Sequence, residues 1–238
     1  MDSKKLLISL FPVYILVLTS FLLVGIAGSR AISAFSEALP ITDRKCVIID
    51  PGHGGMDGGA TSCTGVTEST INLAIALRLN DLMHLLGIHT QMTRSADISI
   101  HTSGNTIAAQ KVSDLKERVR IANSAENAIL VSIHQNHFAD SRYSGAQVFY
   151  APDAESMDLA GQLQTAFVST LNPGSNRKSK RGEGIYLLQK VDLPAVLIEC
   201  GFLSHHEEEA KLRTDSYQKK LSAVIAATCS VYLQELGN

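Results

Sequence analysis

The sequence predicts an α/β fold, a largely parallel sheet covered by helices on both faces, in one domain preceded by an apolar N-terminal segment. Three observations carry this. Short apolar runs bounded by turn residues recur along the chain, from Cys46–Asp50 near its start to Ala195–Glu199 near its end. They are apolar throughout rather than alternating, as strands buried on both faces are. Stretches with apolar residues at helical spacing separate them, the order of a layered α/β domain.

The first element lies ahead of that domain. Leu6 to Ala27 is a run of 22 residues without a formal charge; as a helix it would span about 33 Å, the hydrocarbon thickness of a bilayer. Lys4 and Lys5 precede it, so the positive-inside bias places the N-terminus in the cytoplasm and the rest of the chain outside. Its length favours an uncleaved anchor over a secretory signal, although Ala27, Gly28 and Ser29 are small enough for a peptidase site. Residues 1–28 are therefore expected to form a membrane anchor or signal segment, 29–44 a linker, and 45–238 the folded domain. The location expected for that domain is extracytoplasmic, membrane-anchored or secreted.

Within the domain, Cys46–Asp50 reads as a buried strand ending in Pro51-Gly52. Ser69 to Leu86 carries Ile71, Ile75, Leu79, Leu82 and Leu86 at helical spacing, and Gly87 suits the C′ position. Ile88–Thr93 is the second strand. After a polar stretch from Arg94 to Lys111, a helix is expected near Asp114–Ser124, with Ser113 as N-cap and Glu117 in a capping arrangement. Ala128–Ile133 and Ala146–Tyr150 read as strands, and Ala160, Leu163, Phe167 and Leu171 as one helical stripe. Ile185–Leu188 and Ala195–Glu199 complete the strands, and Leu221, Val224, Ile225, Thr228 and Tyr232 mark a final helix.

Charge and cysteine usage narrow the function. Setting aside Lys4, Lys5, Arg30 and Asp2 leaves 18 basic and 22 acidic groups, a balance that argues against nucleic acid as a partner. Cys46, Cys63, Cys200 and Cys229 form no C-x-x-C pair, so neither a zinc-thiolate knot nor a redox motif is suggested; buried free thiols are expected, the alternative being one oxidised pair in an exported protein. The glycines at 52, 54, 55, 58 and 59 do not form a phosphate loop, because no Gly-Lys-Ser/Thr follows them. They are turn residues, or they let backbone approach a ligand.

Three apolar strands end in groups suited to metal or acid-base chemistry: Asp50 and His53 after the first, His134 after Ile133, and Glu199 after Ile198. The carboxyl ends of parallel strands lie together and are where such sheets bind ligands. Glu68 opens the first helix directly after the loop from Gly52 to Thr67, and so begins on the same side. Two imidazoles and one carboxylate suit a catalytic zinc, which takes three protein ligands and leaves a fourth position for water. Taken singly, a strand-end histidine has an ordinary hydrogen-bonding role, and a glutamate in a first helical turn favours the helix dipole. Convergence is what argues for a site. The basic segment from Asn176 to Gly182 is either a solvated loop or a contact for peptide carboxylates or anionic wall polymer. His205-His206-Glu207-Glu208-Glu209 lacks H-E-x-x-H spacing and reads as the surface of a polar helix.

The strings VIIDPGHGGMDGGA at 47–60, TRSAD at 93–97, LKERVRIAN at 115–123, VSIHQNHF at 131–138, SGAQVFY at 144–150 and LPAVLIECGFLS at 193–204, with Glu68, resemble the zinc-dependent N-acetylmuramoyl-L-alanine amidases of the amidase-3 type. The likeness covers essentially everything from residue 45 onward. One N-terminal hydrophobic segment without wall-binding repeats is similar to the germination-specific amidases of spore formers, which help convert muramic acid to muramic-δ-lactam in the spore cortex. The resemblance implies about six strands in the mostly parallel sheet and one Zn²⁺ per chain on His53, Glu68 and His134, with Glu199 as the catalytic glutamate. Asn136 and Arg181 are candidates for contacting substrate. Peptidoglycan glycan strands with their peptide stems would be the substrate, an accessory activating protein a further partner, and the forespore intermembrane space a location. His137 and Phe138 stand where the family often has a small residue, and the connection from Ser99 to Lys111 has no residue-level match. A zinc peptidase cutting within the stem, or a non-catalytic peptidoglycan-binding protein, would share the same residues.

Overall fold

A computed structural model describes residues 45–236; the expected anchor or signal at 1–28 and linker at 29–44 lie outside the described residues. Among the described residues no helix is long and apolar enough to cross a membrane. Six strands form one sheet: β1 (Cys46–Pro51), β2 (His89–Met92), β3 (Ala128–Asn136), β4 (Gln147–Tyr150), β5 (Lys180–Arg181) and β6 (Ala195–Phe202). Their spatial order is β2-β1-β3-β6-β4-β5. The pairs β1/β2, β1/β3, β3/β6 and β4/β5 are parallel, and β4 runs antiparallel to β6.

The helices are α1 (Glu68–Leu85), α2 (Ile107–Asn123), α3 (Ala154–Thr170), α4 (Tyr186–Lys190), α5 (His206–Leu212) and α6 (Asp215–Glu235). The central strands are apolar throughout because each side chain meets a core, whichever face it points to. Val47, Ile49, Val131, Ile133, Val196 and Ile198 pack with Ile75, Leu79, Leu163, Phe167 and Ile225 from α1, α3 and α6. Cys46, Ile48, Leu130, Ala195 and Leu197 pack on the other face with Ala122, Leu187 and Leu188 from α2 and α4.

Three expectations for this region are corrected. The helix expected from Asp114 begins at Ile107, and Thr106 is its N-cap, accepting from the Ala109 amide. Ser113 instead sits within α2, where its hydroxyl accepts from the amides of Thr102 and Ser103 and holds the preceding loop; Glu117 pairs with Arg120 rather than capping. Ile-Ala-Ala-Gln-Lys-Val at 107–112 is good helix-forming sequence whose apolar side chains face outward, so it carried no core-facing stripe. The run at 185–188 is helical (α4) and the strand there is the short β5, an ambiguity inherent in brief apolar runs. In α5, Glu208 and Glu209 are buried rather than on the surface. Glu208 accepts from the amides of Gly145 and Phe202, and Glu209 from the hydroxyls of Ser62 and Thr64 and from Arg213. Of the four free thiols, Cys46, Cys200 and Cys229 are buried and Cys63 is exposed.

Candidate metal centre

The strand register assembles the site. His134 and Glu199 are partners across β3 and β6, and Asp50 pairs with Ser132 two residues upstream of His134 on the neighbouring strand. A bulge between His134 and Asn136 interrupts that ladder at the site, as bulges next to active sites commonly do. The loop after β1 turns back over the sheet end, with His53 in the left-handed region at φ 60°, a conformation costly outside glycine and concentrated at functional sites. Two buried arginines hold it there. Arg94 donates to the carbonyls of Pro51 and Gly52, and Arg118 to those of Pro51 and His53. Gly52 is required by space, since a Cβ there would lie 2.2 Å from the His134 ring.

Glu68, the first residue of α1, turns its carboxylate toward the two histidines. Its Oε2 lies 3.2 Å from His53 Nε2 and its Oε1 2.9 Å from His134 Nδ1. One nitrogen or oxygen from each of His53, Glu68 and His134 lies within 4.8 Å of the others. The amides of Ala60 and Gln135 and the Asn72 side chain also donate to Glu68. Asp57 receives His53 Nδ1 at 2.8 Å and is itself paired with Lys111 at 2.7 Å; a carboxylate behind a histidine fixes its tautomer and ring orientation.

Electrostatics follow from this packing. Burial opposes the charged form of Glu68, but hydrogen bonds and charge from His134 and His53 outweigh it and hold the carboxyl well below the usual range. Burial likewise pulls His53 down, and Glu68 and Asp57 overcome it, raising the imidazole to about 9. Glu199 goes the other way. Burial, with the nearby Glu68 charge, raises it to about 7 against the opposing pull of the two histidines. Its Oε2 is buried and has no hydrogen-bond partner among the described residues.

The predicted residues separate clearly. His53, Glu68 and His134 come together with Glu199 beside them. Asp50 does not join them: it accepts from Thr93, Ser132 and Arg118 beneath the site. Asn136 ends β3 two residues past His134, and its carbonyl accepts from Leu203. Arg181 is set apart, because it pairs with Tyr150, which pairs with Val196, three residues before Glu199 and toward the opposite end of β6. His137 is exposed. Asp57 and Asn72 escaped the sequence reading, though Asp57 lies only four residues from His53 within the glycine-rich loop.

Two imidazoles and a buried carboxylate, beside a second carboxyl with an unpartnered oxygen, suit a zinc ion with an open coordination position. An α/β domain that gathers such a donor set and a second buried carboxyl at its strand ends has the makings of a hydrolase centre. Residues 47–229 match the amidase-3 family, N-acetylmuramoyl-L-alanine amidase, and the chain belongs to it. The germination-specific N-acetylmuramoyl-L-alanine amidase of Bacillus subtilis is 36% identical over 203 residues, 84% of each chain. The CwlD amidase from Clostridioides difficile, solved in complex with the GerS lipoprotein, superposes with a TM-score of 0.77 at 37% identity, covering 80% of this chain and 99% of that one. An N-acetylmuramoyl-L-alanine amidase from Clostridium difficile 630 superposes at 0.70 and 31%, covering 81% and 98%. The enzyme acts on peptidoglycan as an N-acetylmuramoyl-L-alanine amidase, which sets the peptidase and non-catalytic readings aside.

Proposed function

We propose that the chain is a zinc amidase of the spore cortex that removes whole peptide stems from muramic acid, leaving the sugar free to become muramic-δ-lactam. The observation that carries the catalytic part is the convergence of His53, Glu68 and His134 on one point beside the unpartnered Oε2 of Glu199. His53, Glu68 and His134 would hold one zinc per chain. Bound zinc would supply Lewis acidity, lowering the pKa of water and polarising the scissile carbonyl.

Glu199 Oε2 takes the proton from the attacking water and delivers it to the departing L-alanine nitrogen. A carboxyl held near pH 7 suits both transfers, since neither protonation state is strongly disfavoured at neutrality. Asp57 keeps His53 oriented from behind, and Asn72 and the Ala60 and Gln135 amides keep Glu68 fixed. Asn136, two residues past His134 on β3, would contact substrate on this reading.

The cortex role is supported by the likeness to a germination-specific amidase. An accessory lipoprotein partner is supported by the complex in which the Clostridioides difficile relative was solved. Residues 1–28 would serve as anchor or signal, 29–44 as linker and 45–238 as catalytic domain, placing the enzyme outside the cytoplasmic membrane, in the forespore intermembrane space. The test is mass spectrometry of products from zinc-supplemented protein and purified peptidoglycan. Released stems beginning with L-alanine, lost with chelator and in Glu199→Ala, are expected; activity surviving in Glu199→Ala would overturn the assignment. In spores lacking the enzyme, undiminished muramic-δ-lactam would overturn the cortex role.

A further inference from the structure

Beside the metal centre lies a second recess that the mechanism does not use. It is a cavity of about 510 Å³ lined by Tyr143, Gln147, Asn176, Arg177, Lys178 and Lys180, among others. Gln147 is the direct cross-strand partner of Glu199, so the recess begins one strand away from the catalytic carboxyl, about 5 Å between paired residues. Gln147 also ties the basic segment down: its amide donates to the Lys178 carbonyl at 2.7 Å, and its oxygen receives Arg177 Nη1 at 3.4 Å.

Arg177 is held but not neutralised. Nε donates to the Ser144 carbonyl at 3.2 Å, and the guanidinium lies 5.1 Å from the centre of the Phe202 ring, which Tyr143 also stacks against. No carboxylate lies within ion-pair distance of it among the described residues, and Nη2 has no hydrogen-bond partner there. Glu208, the buried carboxylate whose charge Arg177 does feel, gives its oxygens to the amides of Gly145 and Phe202. Lys178 and Lys180 add positive charge on the same wall and are exposed. A fixed guanidinium with free donors facing a recess is a receptor for a carboxylate.

We propose that this recess binds a free carboxylate of the peptide stem, one or two residues beyond the scissile bond, with Arg177 as the specificity-determining residue. The proposal rests on the amidase reading of the neighbouring site. One strand spacing separates Glu199 from Gln147, and each stem residue advances at most about 3.8 Å, so a carboxylate that close to the L-alanine end reaches Arg177 while the amide sits at the metal centre. Arg181, one residue past Lys180, lines a different recess with Pro152 and Gln189 and has no part in it.

The test uses two muropeptides that differ only in whether the stem carboxylate nearest L-alanine is free or amidated. Their binding is measured by calorimetry to full-length, zinc-loaded Glu199→Gln protein, whose turnover is slowed enough for a titration, with the ligands checked as uncleaved afterwards by mass spectrometry. The free acid is expected to bind roughly ten- to a hundredfold more tightly, the range for a hydrogen bond to a charged group. Adding Arg177→Ala removes the preference, and Arg177→Lys restores part of it. A purely structural role for Arg177 would weaken both ligands equally. Equal binding of the two ligands in the Arg177 background, or a preference that persists in Arg177→Ala, would overturn the proposal. The amidase reading fails separately, if wild-type enzyme releases no stem beginning with L-alanine from the free-acid muropeptide.

Discussion

His53 joins conformational strain, a supporting carboxylate and an unusual proton affinity in one residue. Burial alone would favour the neutral imidazole, yet Glu68 and Asp57 hold its pKa at about 9. On the reading proposed above, a zinc ion taken up at His53 would have to displace the proton that the imidazole holds at neutral pH. Zinc affinity should rise about tenfold per pH unit as pH increases toward 9 and then level off. Competition with a chelator of known affinity checks this, as a zinc affinity that climbs from neutral pH to about 9 and then flattens; a flat profile across that range would count against it. Glu199 makes the complementary case. Glu199→Gln keeps the shape of the side chain but cannot carry the proton, so kcat should fall by roughly 10²–10⁴. Zinc content by atomic absorption should stay at one per chain, and loss of both together would return Glu199 to the ligand set.

At the scale of elements, α2 shows where local pattern and tertiary role diverge. Its cap is Thr106, while Ser113 serves the loop at 102–103. Thr106→Ala should cost about 1 kcal/mol of stability in a chemical denaturation curve, the usual value of an N-cap. Ser113→Ala should leave the helix intact and instead speed amide exchange at Thr102 and Ser103. If Ser113→Ala frays the start of the helix while Thr106→Ala does not, the cap is misassigned. The misread helix start has a plain cause. Ile107, Val112 and Leu115 face outward, and a helix whose first turns touch no core leaves no buried stripe to read. The strongly periodic helices α1 and α3, which press an apolar face on the sheet, and α6, which packs against both of them, were legible for the opposite reason.

Across the whole molecule, the pair between Asp50 and Arg118 ties β1 to α2 beneath the loop that carries His53. Removing the guanidinium leaves Asp50 charged and buried, so Arg118→Ala should destabilise the fold by about 3–5 kcal/mol, measured by urea unfolding. The same pair sets an acid limit. Burial alone would raise the Asp50 pKa, but Arg118, Ser132 and Thr93 prevail and lower it. A carboxyl depressed in the folded state contributes stability above its unfolded pKa, near 3.8, and loses it as pH falls from there through its folded value. Acid unfolding followed by circular dichroism should therefore depend less steeply on pH below 4 in Asp50→Asn, at a lower overall stability. An unchanged slope would show that other carboxylates govern the transition.

The sequence by itself determined the layered α/β class, the order of most elements and the residues that converge at the strand ends. It could do so because strands buried on both faces must be apolar throughout, and because the carboxyl ends of parallel strands lie together wherever the helices run. His53, Glu68, His134 and Glu199 were legible on that ground. Tertiary structure alone decided what depends on register and on contacts between distant segments. Gln147 stands beside Glu199 because β4 turns antiparallel to β6, and through its side chain Gln147 in turn holds Arg177, whereas Arg181 pairs with Tyr150 three positions further along β4. It also buried Glu208 and Glu209 under loops more than sixty and one hundred and forty positions away. No local pattern of charge or hydrophobicity encodes those partners, since each owes its place to where another part of the chain happens to fold.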